Sequence, residues 1–110
     1  MLRILLAVSR DGLLRSFEAE GHAGAGFGNN IACAAATTLL RTAGRACTAQ
    51  GIAAGGGAAR PAHMTLELAG KPAGDEGWLR GVTDFLVRGL SDLSREFPDQ
   101  VALRIETLED

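Results

Sequence analysis

The pattern of apolar and polar positions near the start of the chain predicts two paired strands. Leu2 to Ser9 is a run rich in Leu, Ile and Val, which is typical of a buried strand. Asp11-Gly12 is a turn signal, and Leu13 to Glu20 then alternates loosely between apolar and polar residues. The two strands are therefore predicted to form an antiparallel hairpin.

Two further strands are predicted in the second half of the chain. His63 to Ala69 places Met64, Leu66 and Leu68 on one face, and Val101 to Glu106 repeats the same alternation. Gly51 to Pro61, which contains four glycines, is predicted to be a flexible loop and lacks the Lys-Ser/Thr ending of a P-loop.

Helical spacing predicts two helices. Ile31 to about Ala46 forms one, with an apolar stripe at Ile31, Ala35, Leu39 and Thr42 or Ala43. Asp75 to Phe97 forms the other and ends before Pro98. Its predicted apolar stripe contains Trp78, Val82, Phe85, Leu86 and Leu93.

The predicted element order is β-β-α-β-α-β. This order favours an α+β fold in which two helices pack on a mostly antiparallel sheet. A chain of 110 residues fits one domain, here residues 1–110, and has no internal repeat.

Charge and cysteine usage exclude several classes of protein. A net charge of −2 argues against nucleic-acid binding by bulk electrostatics. The apolar start is too short for a membrane span or a signal peptide. Cys33 and Cys47 would lie about 21 Å apart on one helix, too far for a disulfide. We expect a protein of the reducing cytoplasm.

The segment from Gly21 to Thr37 carries the candidate chemistry. Asn30 is a good N-cap residue, which puts Cys33 at the third position of the first helix. There, free backbone N–H groups and the helix dipole favour a thiolate and an oxyanion. His22 precedes a glycine-rich loop that could fold back towards the thiol. A cysteine with a histidine base is an activated nucleophile.

Simpler interpretations exist for each of these side chains. Cys33 alone reads as a small buried hydrophobic residue, and His22 alone as a strand-end residue. Cys47 is predicted to be structural, and His63 a surface or structural residue. These four residues lack paired metal-ligand spacing such as Cys-x-x-Cys, so no metal or cofactor is predicted.

Gly21-His22-Ala23-Gly24, then Gly28, then Ile31 to Thr37 resemble the signature of the ribosomal-processing cysteine proteases, known as Prp. That signature has Gly-His-Ala, a short loop and then Gly-x-Asp-Ile-Val-Cys-Ala-Ala-x-Ser. The predicted element order also resembles that family's fold across nearly the whole chain.

The resemblance implies a cytoplasmic, homodimeric endopeptidase. Its substrate would be the N-terminal extension of a large-subunit ribosomal protein, which is cut just after a Phe. His22 matches the general base and Cys33 the nucleophile. The loop matches a segment thought to order over substrate, and its candidate residues are Gly24, Gly26, Phe27 and Gly28.

This chain departs from the family signature at three points. Asn30 replaces the Asp, which keeps the capping ability but removes a negative charge, and Thr37 replaces the Ser and keeps a hydroxyl. The His-to-Cys loop is one residue shorter than usual. Asn30 and Thr37 are therefore candidate supporting residues.

Two other hypotheses remain at this stage. One is a non-catalytic dimeric module that binds a ribosomal protein or a ribosome-assembly partner. The other is a redox sensor at Cys33, which lacks a resolving cysteine within reach.

Overall fold

The structure is a computed structural model that describes residues 1–21, 31–60, 62–69 and 76–109. Its elements follow the order β-β-α-β-β-α-β. Their bounds are β1 Leu2–Val8, β2 Leu14–Glu20, α1 Ile31–Ala49, β3 Ala53–Arg60, β4 His63–Leu68, α2 Glu76–Glu96 and β5 Val101–Thr107. The predicted α+β class is confirmed.

The strands form a single five-stranded sheet in the order β3-β4-β2-β1-β5. β1 and β2 form the predicted antiparallel hairpin, in which Gly12 has a φ of 85°. β2 pairs with β4 and β4 with β3, both antiparallel, whereas β1 and β5 are parallel. The mostly antiparallel arrangement agrees with the prediction.

The core lies between one face of this sheet and the two helices. Every second residue of β1 is buried, which leaves Arg3 exposed on the opposite face. Leu66 and Leu68 of β4 contribute to the same core, as their alternation predicted. The structure is therefore a two-layer sandwich of helices on a sheet.

The predicted helix bounds are nearly right. The predicted stripe of α1 is one position off except at Ala43, and in α2 Leu86 of the predicted stripe is fully buried while Trp78, Val82 and Leu93 are partly buried against the core. In α1 the buried residues are Ala32, Ala36, Leu40, Ala43 and Cys47. In α2 they are Leu79, Thr83, Leu86 and Leu90. Ile31 is 69% exposed and Phe85 is 70% exposed. Both helices are amphipathic, and neighbouring stripes satisfy the same period, so periodicity left the buried stripe undecided.

The prediction of a loop over Gly51 to Pro61 is wrong, because most of that segment forms β3. The glycines there permit a close approach of two strands. A Cβ on Gly56 would lie 2.5 Å from the carbonyl oxygen of Thr65, and its φ is 139°. Glycine at this position is a requirement of strand pairing.

Candidate active site

Cys33 is the third residue of α1, as the sequence predicted. The helix begins at Ile31, so Cys33 belongs to the first turn, where backbone N–H groups have no partner within the helix. Its side chain is half-buried and packs against the hydrophobic core. The thiol is thus held in place and still partly open to solvent.

The electrostatic surroundings of the first turn favour an anion. The first turn of α1 contains no acidic residue that would repel a thiolate. The aligned peptide dipoles place partial positive charge at this end of the helix. The same N–H groups are suited to bind the oxyanion of a tetrahedral intermediate.

Gly21 directly follows the end of β2 and precedes His22 in the sequence. Its φ is 91°, and a Cβ at this position would collide with the backbone carbonyl oxygen of Met1. Its N–H donates a hydrogen bond of 2.8 Å to the carbonyl of Ala62. Any side chain at Gly21 would therefore disturb the entry to the predicted site.

Several predicted site residues lie outside the described residues. They are His22, Gly24, Gly26, Phe27, Gly28 and Asn30. Their roles as base, substrate loop and helix cap stay predictions.

Thr37 lies one helical turn beyond Cys33 and is half-buried. Residues four apart on a helix are neighbours on its surface, so the structure puts Thr37 beside Cys33 along α1. Its supporting role at the site stays a prediction.

Cys47 and His63 have the structural positions that the sequence indicated. Cys47 is fully buried near the end of α1, and burial raises the pKa of its thiol. His63 begins β4, and its Nε2 lies 2.9 Å from a carboxylate oxygen of Glu18 on β2. Both cysteines are free thiols.

In the described part of the chain, no three histidine, cysteine, aspartate or glutamate side chains are arranged to hold a metal ion. Neither of the two described helices has the length and apolar character to cross a lipid bilayer.

A groove of about 570 Å³ lies between α1, β3 and β4, and the sequence did not predict it. Buried Phe17, Leu40 and Leu66 form its floor, and Arg41 and Arg45 stand on its α1 side. In the sequence, the feature that indicates this groove is a set of α1 residues spaced at helical intervals from Cys33.

The sequence matches one known protein family over most of its length. The model of a family described as Cysteine protease Prp matches residues 1–102. A search among curated proteins finds no match.

Solved structures share the fold at low sequence identity. The chain is similar to SMU.848 from Streptococcus mutans, with 23% identity, a TM-score of 0.77 and coverage of 98% of this chain and 96% of that one. It is also similar to the ribosomal processing protease Prp from S. aureus at 16% identity. The complex of that protease with a covalently linked product peptide gives a TM-score of 0.76, and its complex with a substrate peptide gives 0.75. Both cover 96% of this chain and 100% of that one.

The family match extends over β1 to β4 and both helices and ends at the second residue of β5. It includes Cys33 in the first turn of α1, where the helix terminus favours an anion. This chain belongs to the Cysteine protease Prp family and is a cysteine protease.

Proposed function

We propose that this protein is an endopeptidase that removes the N-terminal extension of a large-subunit ribosomal protein, with Cys33 as nucleophile and His22 as base. The observation that carries the proposal is the place of Cys33 in the acid-free first turn of α1, within the region matched by the protease family. The S. aureus relative with a bound substrate peptide supports a peptide substrate.

The chemistry runs in two steps. His22 takes the thiol proton of Cys33, and the sulfur attacks the scissile carbonyl. The carbonyl becomes an oxyanion that the N–H groups of α1 stabilise, and its collapse breaks the C–N bond as His22 protonates the departing amine. Water then attacks the thioester, with His22 as base, and releases the new carboxylate and the free thiol. We propose that Asn30 caps α1 and that Thr37 supports the site.

The test compares purified Cys33→Ala and His22→Ala with the unchanged protein on a peptide that spans the extension and its cleavage point. Each change should lower kcat/KM by about 10⁴-fold or more, because the nucleophile or its base is lost. Circular dichroism and melting temperature should stay close to those of the unchanged protein. Cleavage by either variant at the unchanged rate would contradict the assignment.

Alkylation by iodoacetamide, read by mass spectrometry, tests the thiol directly. Cys33 should be alkylated in the folded protein, since its side chain is only half-buried and the helix terminus carries partial positive charge. Buried Cys47 is the internal control and should react only after unfolding. A Cys33 that stays unmodified in the folded protein, with no cleavage, would favour the non-catalytic binding module.

The family resemblance also leads us to propose a cytoplasmic homodimer. An apolar hollow between α1 and α2 supports it, lined among others by Leu39, Trp78, Val82 and the exposed Phe85. An exposed aromatic side chain beside an apolar hollow is typical of an interaction surface.

A further inference from the structure

The groove between α1, β3 and β4 continues the stripe of α1 that bears Cys33. With about 100° between successive residues, Leu40, Gly44 and Thr48 all lie within about 60° of the direction of Cys33 around the helix axis. All three line the groove. A chain bound at Cys33 can therefore run along α1 directly into it.

The distances fit an extended peptide. Arg41 is about 12 Å along the helix from Cys33, and Thr48 is about 22 Å, from the rise of about 1.5 Å per residue. At about 3.3 Å per residue, these spans correspond to about four and about seven residues of extended chain.

Gly44 keeps the groove open at its middle. A Cβ built on Gly44 meets no heavy atom within 4 Å, so packing within the chain does not require a glycine there. Glycine inside a helix is less stable than alanine at the same position. The missing side chain leaves room against the glycine-rich strand β3, whose backbone forms the opposite wall.

Two cations stand beside this apolar floor. Arg41 and Arg45 are exposed residues of α1, one turn apart, and neither has an ion pair or side-chain hydrogen bond with the described residues. By comparison, Arg88 on α2 pairs with Asp84 at 2.9 Å. Like-charge repulsion makes the groove unfavourable for a cationic side chain and leaves two guanidinium groups free to donate to carbonyl or carboxylate oxygens.

We propose that this groove binds an extended segment of the polypeptide substrate on one side of the scissile bond. An apolar side chain lies on the floor formed by Phe17, Leu40 and Leu66, and no cationic side chain occupies the position about four residues from the bond, beside Arg41. The inference rests on the proposed function, since it takes the bond to be cut at Cys33.

Gly44→Leu tests occupancy of the groove, with Gly44→Ala as the matched control. Leucine is a good helix former, so both variants should melt at or above the temperature of the unchanged protein. The probes are three cleavable peptides. The short peptide has about two residues on each side of the scissile bond, and each of the other two is extended by about five residues on one side only. Gly44→Leu should lower kcat/KM about tenfold for one extended peptide, since a filled groove excludes that segment.

The short peptide and the alkylation rate of Cys33 should be the same in Gly44→Leu, Gly44→Ala and the unchanged protein. Equal loss for all three peptides, or no loss for any, would overturn the groove assignment while leaving cleavage at Cys33 intact. A changed oligomeric state with unchanged peptide cleavage would also overturn it, because the occupant would then be a second copy.

Charge exchange tests the role of Arg41. The unchanged protein should cleave a peptide with Lys at the position four residues from the scissile bond, on the groove side, about tenfold less well than the same peptide with Glu there. Arg41→Glu should cleave the Lys peptide better than the Glu peptide. Arg104→Glu is the control, since Arg104 is exposed on β5, away from the groove, and the change in net charge is the same. If Arg41→Glu and the unchanged protein have the same preference between the two peptides, Arg41 does not exclude a cationic side chain from the groove.

Binding of the labelled peptides to proteins that carry Cys33→Ala separates the two proposals. If the unchanged protein cleaves nothing but Gly44→Leu still weakens peptide binding about tenfold, the cleavage proposal fails and the groove proposal stands. If the unchanged protein cleaves the peptides but Gly44→Leu leaves their binding unchanged, the groove proposal alone fails.

Discussion

At the scale of single residues, a few side chains and glycines fix the positions of whole elements. Thr83 is 3% exposed, and its hydroxyl accepts a hydrogen bond of 2.9 Å from the backbone N–H of Leu14. The same hydroxyl donates to the carbonyl oxygen of Leu79 at 2.7 Å. Thr83 therefore joins α2 to the start of β2, where the strand would otherwise bury an unpaired donor.

Thr83→Val should lower the free energy of unfolding by about 1–3 kcal/mol, because the buried N–H of Leu14 loses its acceptor while the side-chain volume is nearly kept. Chemical denaturation measures the change. Thr83→Ser, which keeps the hydroxyl, should recover much of the loss. Equal stability of Thr83→Val and the unchanged protein would show that this hydrogen bond contributes nothing.

At the scale of secondary-structure elements, β3 shows how composition misleads. Its sequence, Ala-Ala-Gly-Gly-Gly-Ala-Ala-Arg, has neither the β-branched residues nor the alternation that identify strands. It is a strand because β4 offers a paired edge, and because glycine tolerates the irregular register between the two strands. Because these residues have small side chains or none, the backbone of β3 forms one wall of the groove.

Gly56→Ala should destabilise the fold by about 1–3 kcal/mol, since a Cβ there meets the backbone of Thr65 and Leu66 and the φ is unfavourable for alanine. Gly55→Ala is the matched control, because a Cβ at Gly55 meets nothing within 4 Å. Its free energy of unfolding should change by less than about 0.5 kcal/mol. Thermal melts of both variants give the comparison, and equal effects would contradict the close approach of β3 to β4.

At the scale of the whole molecule, the proposed functional surfaces involve the helix layer. The groove lies on the side of α1 that faces β3 and β4, whereas the hollow beside Phe85 lies between α1 and α2. Cleavage and self-association can therefore use separate surfaces of the same layer.

Phe85→Glu should convert the proposed dimer to a monomer, because a charge at a buried apolar contact is costly. Sedimentation equilibrium measures the mass. Ile105→Glu is the control, since Ile105 is an exposed apolar residue of β5, 42% exposed, and lies outside the hollow. A dimer that persists in Phe85→Glu would place the interface elsewhere, and a monomeric unchanged protein would refute dimerisation itself.

The sequence by itself determined most of the secondary-structure elements and the position of Cys33 on α1. An apolar run identified β1, and alternation identified β2, β4 and β5. Helical spacing gave both helices to within a few residues, and the motif from Gly21 to Thr37 located Cys33 in the first turn of α1. These properties depend on neighbours in the chain, because side-chain period and capping are set by the local backbone.

Only the tertiary structure decided which stripe of each helix is buried, that β3 pairs with β4, and that a groove extends from the face of Cys33. Ile31 and Phe85 fit an apolar stripe in sequence, yet lie at the surface, because the sheet contacts the adjacent stripe. Burial depends on what a face packs against, and the partner here is supplied by residues distant in sequence.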